Sequence, residues 1–297
     1  MKRYLVIFAV AALFGAATAC NSASRAPKKD ISLQLYSLRS VIGRSGNVSA
    51  DFPEIMKRIG KMGYTGVEAA AYKDGKIYDR EPAEYRAQIE AAGMKSVSTH
   101  VSRYLTEDEL KSGDFSAALE WWQECIAAHK EAGCEYIVTP SMPRKPDQAT
   151  MDLYCRYYNE VGRLCRERGI KYGYHNHAYE FQHKIGDTLM YDYLAEHTDP
   201  SLVFLQMDVY WAVIGDASPV DYFKKYPGRF KSLHIKDEWE VGQSGMVGFD
   251  AIFRNIALAG TEFIVVELEK SDNPDIIEGV RESLDYLLKA DFVPKKY

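Results

Sequence analysis

Six short apolar runs between residues 65 and 269 end in residue types that bind metals or move protons. They are Val67-Glu68, Ser98-Thr99-His100, Tyr174-His175-Asn176-His177 with Glu180 behind it, Gln206-Met207-Asp208, Leu233-His234-Ile235-Lys236-Asp237 and Val265-Val266-Glu267-Leu268-Glu269. A single histidine or aspartate at the end of a strand is ordinarily a loop cap or a surface group. Six such endings make a rim whose side chains can converge on one point. Converging imidazoles and carboxylates are the ligand set of a divalent cation with open positions. The four best ligands are His175, Asp208, His234 and Glu267, and two imidazoles with two carboxylates suit Mn, Co, Fe or Zn better than Ca or Mg. Glu180, five residues beyond His175, is placed to act as a further ligand or as a base. Lys236 follows His234 by two, so strand alternation puts both on one side. There it stabilises an oxyanion, or else it pairs with Asp237 at the surface.

Positioning these groups requires a repeated scaffold, and the chain has one. From Ile31 onward an amphipathic helix ends at a glycine and a short β-rich run follows within two or three residues, as at Lys61-Met62-Gly63, Ala91-Ala92-Gly93, Glu131-Ala132-Gly133, Glu167-Arg168-Gly169 and Leu258-Ala259-Gly260. Glycine just past a helix is the left-handed cap. The runs predict eight buried parallel strands at 31–36, 65–69, 94–100, 135–140, 170–175, 202–208, 230–235 and 263–268. Helices are expected near 51–62, 81–92, 114–132, 147–168, 188–197, 219–226, 249–259 and 275–290. Asp114, Asp147 and Ser218 read as helix starts, with Pro219 at the first helical position. Eightfold strand–helix alternation predicts a single-domain α/β protein, the (β/α)8 TIM barrel, over 31–297. A doubly wound open sheet is the alternative, but no glycine-rich dinucleotide turn follows the first strand.

The 297 residues carry 46% hydrophobic residues and a formal charge of −5, a globular composition able to bury a sizeable core. A sequence pI near 5.9 argues against nucleic acid as a partner, since phosphate binding needs a basic face. The 21 Tyr and 4 Trp fit a sugar-handling cleft. Lys2 and Arg3 precede an apolar run from Leu5 to Phe14 and small residues up to Cys20, which reads as an export signal over 1–19. Cys20, followed by the polar tether Asn21-Ser22-Ala23-Ser24, reads as the lipidated residue of a bacterial lipoprotein on the periplasmic side of the membrane, with contact through that lipid only. The Ala17-Thr18-Ala19 triplet also permits ordinary cleavage to a soluble periplasmic protein. Cys125, Cys134, Cys155 and Cys165 show no CxxC spacing and read as buried free thiols rather than disulfides.

His175-Asn176-His177 with Glu180-Phe181 resembles the HNHxxEF signature of the xylose isomerase-like TIM barrel superfamily, the sugar phosphate isomerase/epimerase family. The likeness continues through Leu33-Gln34-Leu35-Tyr36-Ser37-Leu38-Arg39, Gly63-Tyr64-Thr65-Gly66-Val67-Glu68, Met207-Asp208-Val209-Tyr210-Trp211 and Gly228-Arg229-Phe230. It implies one divalent metal gripping adjacent sugar oxygens, with paired glutamates as acid and base. This chain departs at strand five, where His175 stands in place of Glu. The expected chemistry is proton abstraction beside a metal-polarised sugar carbonyl through an enediolate, by Glu267 or Glu180. Glu68, His100, Asn176, His177 and Trp211 are the expected substrate contacts. Reprotonation gives a sugar isomerase or epimerase; loss or addition at the β-carbon gives a keto-sugar (3-keto-glycoside type) lyase or hydratase. A non-catalytic sugar-binding lipoprotein is a further alternative, and a homo-oligomer is compatible with all of them.

Overall fold

The computed structural model describes residues 29–297, so the export signal and Cys20 lie outside the described residues. Eight parallel strands pair in sequence order and close on themselves: β1 (Ser32–Gln34), β2 (Gly66–Ala69), β3 (Lys95–His100), β4 (Tyr136–Thr139), β5 (Lys171–His175), β6 (Val203–Asp208), β7 (Ser232–Ile235) and β8 (Phe263–Val266). The outer ring is α1 (Phe52–Met62), α2 (Pro82–Ala91), α3 (Ser116–Glu131), α4 (Gln148–Glu167), α5 (Met190–His197), α6 (Pro219–Lys225), α7 (Phe249–Arg254, continued by Ile256–Ala259 beyond Asn255) and α8 (Ile276–Lys289). This is the (β/α)8 barrel that the alternation predicts.

The expected punctuation is in place. Asp147 accepts from the Thr150 amide at 2.8 Å and Ser218 from the Asp221 amide at 3.3 Å. Gly260 turns at φ 76°, and a Cβ there would meet Gly228 Cα at 2.8 Å, so conformation and space both require glycine. Asp114 accepts from the Ser116 amide at 2.9 Å, but Phe115 occupies the cap position of α3. The first strand is shorter than expected because the Gln34 side chain accepts from the Tyr36 amide at 3.0 Å and turns the chain into a 3-10 helix, Leu35–Leu38. Short helices at Glu107–Ser112 and Val209–Ile214 are additions to the expected set, the first closed by a capping box between Thr106 and Glu109.

Alternation along the strands sorts the barrel interior into layers. Tyr136, Val138, Phe204, Phe263 and Val265 form an apolar plug toward the N-terminal end. Gly173 on β5 leaves the room that this plug needs, since a Cβ there would lie 2.6 Å from the Phe204 ring. Two residues further along the same strands, Phe204 gives way to Gln206 and then Asp208, and Val265 to Glu267. Among the described residues Cys125, Cys134, Cys155 and Cys165 are free and buried. Among the described residues no helix is long and apolar enough to cross a membrane.

Candidate metal centre and active-site cleft

β5 to β8 each end in one of the four expected ligands. His175, Asp208, His234 and Glu267 place one ligand atom apiece within 4.8 Å of one another, and all four are buried. Local structure fixes each of them. Asp208 caps the helix Val209–Ile214, its Oδ1 accepting from the Trp211 amide at 2.9 Å. Its Oδ2 is buried and has no hydrogen-bond partner in the protein. An unpartnered carboxylate oxygen facing three other donors fits a cation, because an unpaired buried charge is otherwise costly. Asn176 donates to the Asp208 carbonyl at 3.2 Å and accepts from its amide at 3.1 Å, locking β5 to β6 beside the ligands.

The two ligand imidazoles are oriented from below. Gln206 donates its amide to Glu68 at 2.9 Å and to Ser232 at 3.1 Å, so its Oε1 faces the histidines as an acceptor, 2.7 Å from His100 Nε2 and 3.1 Å from His175 Nδ1. That leaves His175 Nε2 for the ligand cluster. His234 Nε2 lies 2.6 Å from Glu68, with Nδ1 turned toward Glu267 at 3.3 Å. Such outer partners set which ring nitrogen is available to a metal. Glu68 is the hub of this layer. It also accepts from Gln34 at 2.7 Å and Ser98 at 2.6 Å and lies 3.0 Å from His100.

Electrostatics follow from this burial. Burial works against ionising Glu68, yet His100 and His234 outweigh it and hold the carboxyl well below the usual range. Burial alone would lower His234, but Glu68 and Glu267 raise it to about 10. His175 moves the other way, pushed well below the ordinary histidine value by burial and then by His234 and His100. Burial raises Asp208 to about 7 against the pull of Lys236. Glu267 is held low because Lys236 and His234 outweigh its burial. Lys236 is 2% exposed, with Nζ 3.3 Å from Glu269 and 3.6 Å from Glu267. It faces the site rather than pairing with Asp237, which instead accepts from Gly242 and Ser244 and fixes the loop after β7.

A cleft of about 700 Å³ opens over the cluster, lined by His100, His175, His177, Glu267 and Glu269 and by aromatic residues farther out. Of the expected substrate contacts, His100 and His177 line it. Glu68 and Asn176 are fully buried beneath it, where they hold ligands instead. Trp211 stands beside it, its ring 5.8 Å from Lys236 Nζ. Glu180 is also fully buried and does not line the cleft. It accepts from the Tyr174 hydroxyl at 2.7 Å and the His177 amide at 2.8 Å, bracing the turn that carries His177. Burial raises it to about 8 against those hydrogen bonds. Glu269, Tyr36, Tyr72, Tyr104, Trp121 and Arg144 also line the cleft and were not singled out from sequence. Glu269 had a visible signal, the period-two step from Glu267; Tyr36 lies in the 3-10 helix after β1, Tyr72 in a two-residue hairpin strand after β2, Tyr104 in a loop and Trp121 on α3, all outside the barrel-strand pattern.

Residues 56–290 match the family described as Xylose isomerase-like TIM barrel. The solved structure of a sugar phosphate isomerase/epimerase from Parabacteroides distasonis ATCC 8503 is 33% identical, covers 94% of this chain and 99% of its own, and superposes with a TM-score of 0.80. The inosose dehydratase of Geobacillus kaustophilus (strain HTA426) is 25% identical over 205 residues, 62% of this chain, and the match spans 61% of that relative's length. The inosose dehydratase of Bacillus cereus (strain AH820) is 22% identical over 273 residues, 80% of this chain and 87% of its own. With the closed barrel and a family match over most of its length, this chain belongs to the xylose isomerase-like TIM barrel family.

Proposed function

We propose that the protein is a divalent-metal-dependent enzyme of the sugar isomerase/epimerase type that removes a proton beside the carbonyl of a sugar or keto-sugar. The observation that carries this reading is the convergence of His175, Asp208, His234 and Glu267 within 4.8 Å, with Asp208 Oδ2 left without a protein partner. A divalent cation held by these four residues would supply Lewis-acid polarisation of the carbonyl and so acidify the neighbouring C–H. Glu267 is the carboxylate of the four that faces the cleft, and it moves the proton. Lys236, buried beside it, places a positive charge where oxygen gains negative charge. His100 and His177 hold substrate hydroxyls. Glu68, Gln206 and Asn176 act through the ligands they orient, and Glu180 acts through the loop that it braces.

A second reading, dehydration or lyase chemistry, rests on one feature of the site. His175 stands where epimerases of this family have a second carboxylate, and with His100 and His177 it gives the cleft three imidazoles. An imidazole can protonate a departing β-hydroxyl, whereas two-face epimerisation needs two bases. The likeness to inosose dehydratases accords with this outcome. Transfer of solvent deuterium into a panel of sugars and 3-keto-sugars decides between them. Label retained in an unchanged skeleton gives isomerase or epimerase, and an unsaturated product gives dehydratase. If stoichiometric divalent ion is absent from purified protein, both readings fall. Export as a lipoprotein is part of the proposal, and it favours unphosphorylated substrates; radiolabelled palmitate that fails to enter the chain through Cys20 would remove the anchor.

A further inference from the structure

The cleft is longer than its chemistry requires. The ligands come from β5 to β8, yet the cavity continues across the barrel mouth to residues that follow β2, β3 and β4. At about 700 Å³ it lies in the upper part of the range that accommodates drug-sized ligands, more than one pyranose ring fills. The far end is built from fixed aromatic residues. Tyr72 and Trp121 meet edge to face at 5.6 Å. Each is backed in turn, Trp121 by Trp122 at 5.2 Å and Tyr72 by His129 at 4.9 Å. Tyr104 is 46% exposed, unusual for so large a ring, but its hydroxyl is tied at 2.6 Å to Ser141 in the loop after the neighbouring strand β4. Pinned, half-open aromatic rings form a platform for a flat, partly apolar ligand and lose little entropy when one binds.

Charge narrows the ligand further. Apart from the histidines, the charged groups lining the cleft are Glu267, Glu269 and a single cation, Arg144, which sits 5.6 Å over the Tyr179 ring. A phosphate is ordinarily met by several converging donors. Beyond the cluster, where Glu267 and Lys236 are already engaged, a phosphate would meet one guanidinium only, a poor place for one.

We propose that this aromatic end is a second binding subsite, and that the substrate is a neutral glycoside whose second ring rests on Trp121 and Tyr104 while the reacting sugar lies over the ligand cluster. The proposal rests on the reading of the cluster as the reaction centre. Its test compares solvent-deuterium exchange or turnover of 3-ketoglucose, phenyl 3-keto-β-glucoside and 3-ketoglucose 6-phosphate by the metal-loaded protein, alongside calorimetric binding of phenyl β-glucoside. The glycoside is expected to exceed the free sugar at least tenfold in kcat/KM, with the phosphate not preferred. Trp121→Ala and, at a site needing no core packing, Tyr104→Ala should each cut that preference about fivefold. Equal handling of the free sugar and the glycoside, or preference for the phosphate, overturns the subsite. If none of the three exchanges label, the reaction assignment fails, and calorimetry then decides the subsite by itself. Phenyl β-glucoside bound several-fold more weakly by Tyr104→Ala than by the parent supports it, and equal binding rejects it.

Discussion

Each end of the barrel carries a glutamate ringed by cations, and the two ends behave differently because one is wet. At the N-terminal end Glu262 accepts from the Tyr136 hydroxyl at 2.6 Å, pairs with Lys171 and lies 3.5 Å from Lys231. Glu262 and Lys231 are about a third exposed and Lys171 more than half. At the C-terminal end Glu267, His234, Lys236 and Asp208 are all nearly or fully buried. Similar charges therefore do different things. Water screens the lower set, which covers an apolar plug, while the upper set lacks screening and cannot all be satisfied by one another. The unpartnered Asp208 oxygen belongs to the upper end, where Lys236 meets Glu269 and Glu267 only at 3.3 and 3.6 Å. Both sets lie on or beside the ends of the barrel's own strands, so what separates a surface ion pair from the proposed reaction centre is desolvation.

Removing a charge from the dry end should have the largest effect. Glu267→Gln takes away a proposed ligand and the group proposed to move the proton, so exchange should fall on the order of 10²–10⁴-fold and bound divalent ion should be lost. Elemental analysis with exchange kinetics checks both, and full ion content in the variant would separate Glu267 from the cluster.

Next comes Glu180, a buried carboxyl with no cation partner. Its folded-state value is raised from 4.5 to about 8, chiefly by burial. A raised carboxyl favours the folded state at low pH. Its contribution is full below about pH 4.5 and is lost as pH rises through about 8, amounting at most to something on the order of 5 kcal/mol. Glu180→Gln should flatten that part of the stability profile in denaturant titrations at pH 5 and 9. A variant whose stability falls between those values as steeply as the parent's would mean that Glu180 is ionised throughout.

Glu180 also illustrates what was legible in the sequence. All eight strands and the four side chains that converge could be read from it, because period-two alternation and glycine caps are local signals. Which polar residues face substrate and which stand behind the ligands could not be read in that way. Glu68, Asn176 and Glu180 are the right types in the right places along the chain, but the roles of Glu68 and Asn176 depend on partners far away in sequence, His234 and Asp208, and Glu180 is turned inward onto its near neighbours Tyr174 and His177 by a turn that no repeat encodes. The aromatic wall was hidden for a related reason. Tyr104 and Trp121 line one cleft only because a loop after β3 and the helix α3 are brought together, a placement no repeat encodes. Lys236 shows the opposite case, since alternation alone placed it beside His234 and the structure ranges it against Glu267 and Glu269.

A smaller effect is expected one layer below the ligands. Glu68→Gln keeps an acceptor for His234 but removes the charge that orients it, so divalent-ion affinity should drop about 10–100-fold. The readout is an ion-binding titration, which a merely structural role would leave unchanged. Restoration of affinity by Glu68→Asp would show that charge at this position, rather than length, carries the effect.

The wet end should respond least, and that response makes the comparison quantitative. Lys171→Ala removes a partner of Glu262 while Tyr136 and Lys231 remain, and exposed pairs of this kind contribute about 0–1 kcal/mol. The expected loss is therefore below about 1 kcal/mol and should shrink further as salt rises, since the Debye length falls to about 3 Å at 1 M. Ion content and exchange rate should match the parent's, because the apolar layer of Tyr136, Phe204 and Phe263 separates the two ends. If Lys171→Ala instead cost several kcal/mol, or altered ion affinity at the opposite mouth, the plug would be transmitting charge. Desolvation alone would then not account for the difference between the two glutamates.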